Sequence, residues 1–415
     1  MFPTSRLCLL SLCLASPCAP ASAQTYTILY NFEGGTGAGF PQGNLAMDSS
    51  GVLYGVTRNG STSAGAVYSL TPPAASGGAW TEAVLWNFDW SDGAIPNGVT
   101  LGSGGVLYGT AGAGGSLNLG TAFSLSPPAS PGGPWTRTVL WTFGNPGDGR
   151  VPVGALTIGE DEALYGIASQ GGNPANGSGA VFELDPPASP NGSWTEKLLW
   201  NFGTPGDGAL PDAGVIIGKG RVLYGTTSEG GAYGEGAVYS LTPPESSGGA
   251  WQEALIWSFY RTCCGNPQHP EGSMAIKDGV LYGTAAGNGT GRDEGVFSLT
   301  PPATGGSSWD EATLRPFADD SAGYGLLGGV TLSEDSPAIY GSTVRGASGG
   351  MGAVFELKPS ASPEGTWELR VLHTFDGADG NQPLSNLVHG RDGEIYGTAS
   401  LGGSSGGGVV FSVLP

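Results

Sequence analysis

The sequence is poor in charged residues, and most of those it has are acidic. Only 12% of its 415 residues are charged, with 15 Lys and Arg against 35 Asp and Glu, and the formal net charge is −20. A chain this acidic repels polyanions, which excludes nucleic acid and anionic lipid as partners. No uninterrupted apolar run reaches the length of a membrane-spanning helix, so we expect no membrane span.

Cysteine is scarce as well, and most of it lies near the N-terminus. Residues 1–23 contain a basic residue, a short apolar stretch and a small-residue cleavage site, the features of a secretory signal peptide. Cleavage after Ala23 leaves a mature chain, 24–415, that keeps only Cys263 and Cys264 of the five Cys. We therefore expect a secreted, extracellular protein whose core is held by packing and not by a disulfide scaffold.

Turn-forming residues are abundant and are arranged with a period. The chain contains 77 Gly and 31 Pro, and a Leu/Ile-Tyr-Gly motif recurs every 54 to 59 residues. Its tyrosines are Tyr54, Tyr108, Tyr165, Tyr224, Tyr282, Tyr340 and Tyr396. A fixed period of this kind indicates a repeat architecture.

Each repeat contains four short runs of strand-like composition, separated by Gly, Pro, Asn, Asp and Ser. Seven such units predict an all-β fold, a seven-bladed β-propeller of four-stranded blades that occupies 24–415. Residues 25–32 match the fourth strand of a unit, residues 409–413 match the third strand, and we expect 28–32 to pair with 409–413. We therefore predict that the N-terminal strand completes the last blade and closes the ring, which removes exposed sheet edges.

The stretch from Gly220 to Gly231 reads Gly-Arg-Val-Leu-Tyr-Gly-Thr-Thr-Ser-Glu-Gly-Gly, and Gly-Ala-Val-Tyr follows from Gly236. It resembles the unit of the GloVer-type tandem-repeat family of secreted proteins, and the resemblance covers all seven units. A weaker similarity to kelch repeats concerns strand order alone. The resemblance implies the fold and little about activity, since the family has no generally established reaction. Members often carry a C-terminal surface anchor, whereas this chain stops at Pro415, so we expect no anchor.

Two sets of loops share one face of the predicted propeller, and we expect a ligand there, around the central opening. The loops that lead from the fourth strand into the next blade carry a recurring Asp-Gly. Turn formation and a partial ring of carboxylates are the alternatives for these residues. The carboxylates are Asp92, Asp148, Asp207 and Asp379. No EF-hand pattern and no cofactor motif is present, so we expect neither metal nor cofactor.

The longest of these loops, 260–270, supplies further candidates. Its ligand-binding candidates are Arg261, Cys263, Cys264 and His269, and Tyr324 lies in the next irregular loop. In an exported protein the adjacent thiols favour a vicinal disulfide, with free thiols or intermolecular pairing as alternatives. We hypothesise that such a ring would help to bind a ligand.

Departures from the repeat are the candidates for function, because repetition accounts for structure. The leading interpretation is a monomeric binding or scaffold module that recognises an extracellular glycan or protein through the loops of the fourth to sixth units. The alternative is a carbohydrate-active enzyme on the same face, either a polysaccharide lyase or a glycoside hydrolase. For elimination the local set is Tyr260, Arg261, His269 and Tyr324. A purely structural surface protein is the third interpretation.

Overall fold

The computed structural model describes residues 24–415 except 35–36, 76, 131, 173–176, 190–191, 247, 262–266, 288–292, 304–307, 318–321, 361–365 and 391. The predicted signal peptide and the pair Cys263 and Cys264 lie outside the described residues, and both remain predictions. The helical elements of the described chain are two 3-10 turns, Ser103–Gly105 and Lys219–Arg221. Neither has the length and hydropathy that crossing a membrane would need.

The strands form seven antiparallel four-stranded sheets, as the repeat predicts, and we number these blades 1 to 7. Blade 1 contains β2 (Gly39–Met47), β3 (Leu53–Asn59), β4 (Ala66–Thr71) and β5 (Thr81–Asn87). Blade 2 contains β6 (Ala94–Leu101), β7 (Leu107–Ala113), β8 (Thr121–Ser126) and β9 (Thr136–Thr142). Blade 3 contains β10 (Gly149–Ile158), β11 (Leu164–Gly171), β12 (Ala180–Asp185) and β13 (Thr195–Asn201). Blade 4 contains β15 (Ile216–Ile217), β16 (Leu223–Thr227), β18 (Ala237–Thr242) and β19 (Gln252–Ser258), with a short extra pair, β14 (Gly208–Ala209) and β17 (Glu229–Gly230).

Blades 5 and 6 contain β20 (Ala275–Lys277), β21 (Val280–Ala285), β22 (Gly295–Thr300) and β23 (Asp310–Pro316), then β24 (Thr331–Leu332), β25 (Ile339–Thr343), β26 (Ala353–Lys358) and β27 (Glu368–Thr374). Blade 7 contains β28 (Val388–His389), β29 (Ile395–Ala399), β30 (Val409–Leu414) and β1 (Thr25–Asn31). The first strands of neighbouring blades contact one another, so they lie nearest the axis.

Closure of the ring by the N-terminal strand is confirmed. Strand β1 pairs antiparallel with β30, with Ile28 opposite Phe411 and Asn31 opposite Val409. The ring of Tyr26 stacks on that of His373 with centroids 3.6 Å apart. The first and last strands of the propeller therefore belong to one blade.

The core consists of layers of aromatic rings between blades. The Phe that ends the fourth strand of each blade packs on an aromatic residue in the third strand of the next blade. The seven pairs, with ring centroids 4.9–5.3 Å apart, are Phe32–Tyr68, Phe88–Phe123, Phe143–Phe182, Phe202–Tyr239, Phe259–Phe297, Phe317–Phe355 and Phe375–Phe411. Because the pair recurs at every junction, these Phe residues are structural.

Six of the seven junctions share a backbone contact that we call the latch. A non-glycine residue with positive φ precedes the proline of the first strand, and its N–H donates to a carbonyl of the preceding blade. Ile95, for example, has φ 57° and donates to the Ala64 carbonyl at 2.9 Å. Pro96 then packs on Gly65, which has room for no side chain. The latch residues are Phe40, Ile95, Val151, Leu210, His269 and Gln382.

The junction between blades 5 and 6 is built differently. Glu294 occupies the position of the latch glycine, and Gly325 and Leu326 occupy those of the latch residue and its proline. The Gly325 N–H donates to Glu294 Oε2 at 2.6 Å, so a side-chain carboxylate replaces the usual carbonyl. Glu294 is only 1% exposed. This junction therefore keeps a hydrogen bond between blades but lacks the proline and glycine that close the others.

Candidate functional site

The two loop sets expected on one face are hydrogen-bonded to each other. The N–H groups of Gly115, Gly172 and Gly231, in loops between second and third strands, donate to carbonyls of Trp90, Asp148 and Asp207. Those carbonyls belong to the loops that enter the blades. The two sets therefore form a single surface, which we call the loop face.

The recurring aspartates of the loop face are held by the fourth strand of their own repeat. The indole N–H groups of Trp86, Trp141 and Trp200 donate to Asp92, Asp148 and Asp207 at 3.1, 3.2 and 3.2 Å. In blade 6, His373 takes the place of the Trp, and its Nε2 lies 2.7 Å from Asp379 Oδ2. These contacts support the turn interpretation. No group of three or more His, Cys, Asp or Glu in the described chain is arranged to hold a metal ion.

The residue that faces each of these aspartates from the next blade differs between junctions. Arg137 Nε lies 3.2 Å from Asp92 Oδ2, forming an ion pair. Glu196 faces Asp148, and burial together with a hydrogen bond to that carboxylate raises the pKa of Glu196 to about 8. Burial, reinforced by the charge of Asp207, raises the pKa of Glu253 to about 7. Two junctions thus have a buried acid where another has a cation.

A chain of polar contacts links Arg261 and His269 at the junction of blades 4 and 5. Arg261 Nε lies 3.3 Å from Glu235 Oε1, and His269 Nε2 lies 3.2 Å from Glu235 Oε2. His269 Nδ1 is 2.8 Å from the Ser228 carbonyl. Both ring nitrogens therefore face oxygen atoms. His269 is also the latch residue here, with φ 51°.

Two exposed aromatic side chains lie next to this chain of contacts. Tyr233 is 65% exposed and Tyr260 is 40% exposed, and their ring centroids lie 5.7 Å apart. Tyr233 comes from the loop that also carries Glu235, and Tyr260 immediately precedes Arg261. Large exposed rings are uncommon on a soluble surface and mark interaction sites when they adjoin polar groups. We call these two side chains the tyrosine pair.

A cleft of about 420 Å³ opens between blades 5 and 6, at the irregular junction. His269 and Glu271 line it from one side, and Tyr324, Leu327 and Arg345 line it from the other. The structure therefore brings together two of the predicted site residues, His269 and Tyr324, and Arg261 is linked to them through Glu235. The four aspartates belong to other junctions.

The innermost position after each latch proline distinguishes this region from blades 1 and 2. Gln42 and Asn97 donate their amide N–H groups to the Pro96 and Pro152 carbonyls of the next blade, each at 2.7 Å. Blades 4 and 5 have Asp212 and Glu271 there instead. A carboxylate cannot donate this hydrogen bond, so the structural contact of blades 1 and 2 is given up where the cleft lies.

The two acids are close enough to affect each other. Burial raises the pKa of Glu271 above its ordinary value, and the negative charge of Asp212 raises it further. Burial also raises the pKa of Asp212, although the Ser228 hydroxyl, 2.5 Å away, stabilises its charged form. The Ser228 carbonyl meets His269, so Asp212, Ser228 and His269 are connected.

No sequence motif marks Asp212, Glu235, Glu271 or Tyr233 as site residues. Aligning the residue that follows each latch proline would have shown two amides and two acids at one position. The contact of Glu235 with His269 depends on the latch, whose backbone conformation no sequence motif announces. Arg345 lies one blade away from His269 along the chain and meets the cleft only through tertiary packing.

Seven antiparallel four-stranded blades, closed by pairing of the first and last strands, define the class of seven-bladed β-propellers. Within this class, the chain belongs to the Gloeobacter/Verrucomicrobia repeat family, whose model matches residues 19–221, 133–331 and 213–415. This confirms the resemblance drawn from the repeat unit. No curated protein matches the chain.

Solved structures with a similar fold include several enzymes. A glucose dehydrogenase is 12% identical, with 94% of this chain and 99% of that chain covered and a TM-score of 0.43. A luciferin-regenerating enzyme is 13% identical, with 91% and 92% covered and a TM-score of 0.43. A candidate 6-phosphogluconolactonase from Bacteroides uniformis ATCC 8492 is 15% identical, with 86% and 88% covered and a TM-score of 0.46. Similarity at this level carries no argument about function.

Proposed function

We propose that the protein is a secreted, monomeric binding module that recognises an extracellular glycan with the part of the loop face formed by blades 4 to 6. The observation that carries this proposal is the exposed tyrosine pair, which neighbours in sequence the Arg261–Glu235–His269 contacts that lead to the cleft. Aromatic rings offer apolar faces on which sugar rings stack, while neighbouring polar groups orient the hydroxyls. Export follows from the signal-peptide features of residues 1–23.

The polar groups of the cleft, together with Glu235, suit a ligand rich in hydroxyl groups. Glu235 and Glu271 accept hydrogen bonds, Arg345 donates them, and Tyr324 does both. The net charge of −20 opposes binding of polyanionic glycans at low ionic strength. We therefore favour a neutral glycan. A protein ligand is the other partner weighed from the sequence.

Affinity electrophoresis and calorimetry with mixed-linkage β-glucan, xylan, mannan and polygalacturonate test the proposal. We expect one of the neutral polymers to bind, and Tyr233→Ala or Tyr260→Ala to weaken it about five- to tenfold, from the loss of about 1 kcal/mol of stacking. Trp90→Ala is the matched control, since Trp90 is 52% exposed on the loop face but lies between blades 1 and 2.

The results separate the alternatives. Equal loss in all three variants would place the ligand elsewhere on the loop face. Binding of polygalacturonate alone would contradict the charge argument. A third outcome is that none of the four polymers binds and that a specific protein partner is recovered which the tyrosine variants no longer bind. The ligand would then be a protein and not a glycan.

A further inference from the structure

We infer that the cleft also hydrolyses the neutral glycan, with Glu271 as general acid and Asp212 as general base. This inference rests on the proposed glycan binding and adds a reaction to it. It concerns two carboxyl groups of neighbouring blades that sequence analysis did not assign to a site.

The first argument comes from the repeat itself. At the position after the latch proline, Gln42 and Asn97 bridge to the next blade through their side-chain amides. Asp212 and Glu271 occupy this position in the two consecutive blades that lead to the cleft. A carboxylate cannot donate the hydrogen bond that the side-chain amides of Gln42 and Asn97 donate. The acids at this position therefore lack a structural contact between blades and place a group that can transfer protons there instead.

The second argument is the cleft. Glu271 lines it together with His269, Tyr324 and Arg345, so a bound sugar would meet the carboxyl group directly. Asp212 lies on the adjoining blade and is connected to the same region through Ser228, whose hydroxyl is 2.5 Å from Asp212 Oδ2. The cavity thus has one carboxyl group in its wall, Glu271, and a second, Asp212, on the adjoining blade, near enough for its charge to act on Glu271.

The two carboxyl groups have different surroundings, as two groups with opposite roles require. Burial and the nearby Asp212 charge favour the protonated form of Glu271 by raising its pKa. Burial raises the pKa of Asp212 too, but its carboxylate accepts a hydrogen bond from the Ser228 hydroxyl, and this bond opposes the rise. Asp212 is the one of the two with a hydroxyl donor that stabilises a carboxylate, so we assign the proton acceptor to Asp212 and the proton donor to Glu271.

In the reaction, the Glu271 carboxylic acid transfers its proton to the glycosidic oxygen as the bond from that oxygen to the anomeric carbon breaks. A water molecule gives a proton to the Asp212 carboxylate and forms the new bond to the anomeric carbon. Water is thereby added across the linkage, which leaves a hemiacetal and a free hydroxyl. Exchange of one proton between each carboxyl group and solvent restores the starting state, and no further reactant is consumed.

The test measures new reducing ends from mixed-linkage β-glucan, xylan and mannan with the full mature chain. We expect the polymer that binds to be cleaved, and Glu271→Gln and Asp212→Asn each to lower the rate about 100-fold or more while binding is retained. Glu368→Gln, an exposed carboxyl group on β27, is the matched control. Thermal unfolding of each variant checks its fold, and the wild-type pH–rate profile should be bell-shaped.

Each other outcome overturns the inference in a recognisable way. Binding without new reducing ends leaves the glycan-binding function standing and removes the hydrolysis. Cleavage that persists in both variants, or a wild-type rate that does not depend on pH, assigns any activity to other residues. Absence of binding to all three polymers removes the proposed function as well. If one variant unfolds, the other variant and the wild-type profile still decide.

Discussion

Blades 1 and 2 meet through the regular latch, whereas blades 5 and 6 meet through a substitute. In the first junction a left-handed residue, Ile95, donates to the Ala64 carbonyl, and Pro96 packs on Gly65. In the second junction the Glu294 carboxylate accepts the hydrogen bond from Gly325. The comparison shows that a repeat can preserve a hydrogen bond between blades and yet abandon the close packing around it. The released space is the cleft.

The largest effect is expected at the regular junction. A Cβ at Gly65 would overlap the Pro96 ring and come within 2.7 Å of the Thr57 carbonyl, and φ there is 102°. Gly65→Ala should therefore lower the free energy of unfolding by about 3 kcal/mol, from strain and overpacking together. Denaturant unfolding measures it. Gly77→Ala, at a position with φ 80° and open space, is the control and should cost no more than about 1 kcal/mol.

A somewhat smaller effect is expected at the substitute junction. Glu294→Ala leaves the Gly325 N–H without its acceptor and empties a fully buried position, so we expect a loss of about 2–3 kcal/mol in denaturant unfolding. Glu294→Gln keeps an oxygen acceptor and should recover part of the loss. If Glu294→Ala were as stable as the wild type, the carboxylate would not be what joins these blades.

The smallest effect concerns pH. The pKa of Glu196 is raised from 4.5 to about 8, so the folded protein keeps a proton that the unfolded chain loses. Stability from this group is complete below about pH 4.5, falls as the pH rises to about 8, and is level above that. Glu196→Gln should flatten this dependence and stabilise the protein by about 1–2 kcal/mol at pH 8, after allowance for solvent screening.

Thermal unfolding between pH 5 and pH 9 measures this dependence. Glu368→Gln serves as the control, because its carboxyl group is exposed and should leave the profile unchanged. The junction of Arg137 and Asp92 offers a comparison within the molecule, since an ion pair there replaces the protonated acid. If the stability of the wild type and of Glu196→Gln depended on pH in the same way, protonation of Glu196 would not be the cause of the dependence.

The period of the Tyr-Gly motif was sufficient to predict the blades, their number and the closing strand, because strand length and turn chemistry are local properties. Aligning the fourth strands of the repeats also places His373 in the position of Trp86, and His373 contacts Asp379 as the Trp residues contact their aspartates. The latch could not be predicted, because its left-handed residues include Ile95 and Val151, whose branched side chains disfavour that conformation.

Part of the candidate site could be predicted from the sequence, because some of its residues interrupt the repeat. His269 and Tyr324 were found because they depart from the repeat, and they share one cleft. Glu271 and Asp212 fit the repeat in position and depart from it only in chemistry, so they stand out once the role of Gln42 and Asn97 is known. That role depends on a contact between blades, which is a property of the assembled ring.

The pairing of β1 with β30 has a consequence for how the chain reaches this structure. The hydroxyl of Tyr26 bonds to the carbonyl of Asp379, 353 residues further along. The strand made first by the ribosome thus waits without its partner until the final blade exists, and this separation makes closure the slowest kind of contact to form. Removing residues from either terminus would take a strand from the same blade, blade 7. Truncation at one end would therefore leave the strand at the other end without its partner.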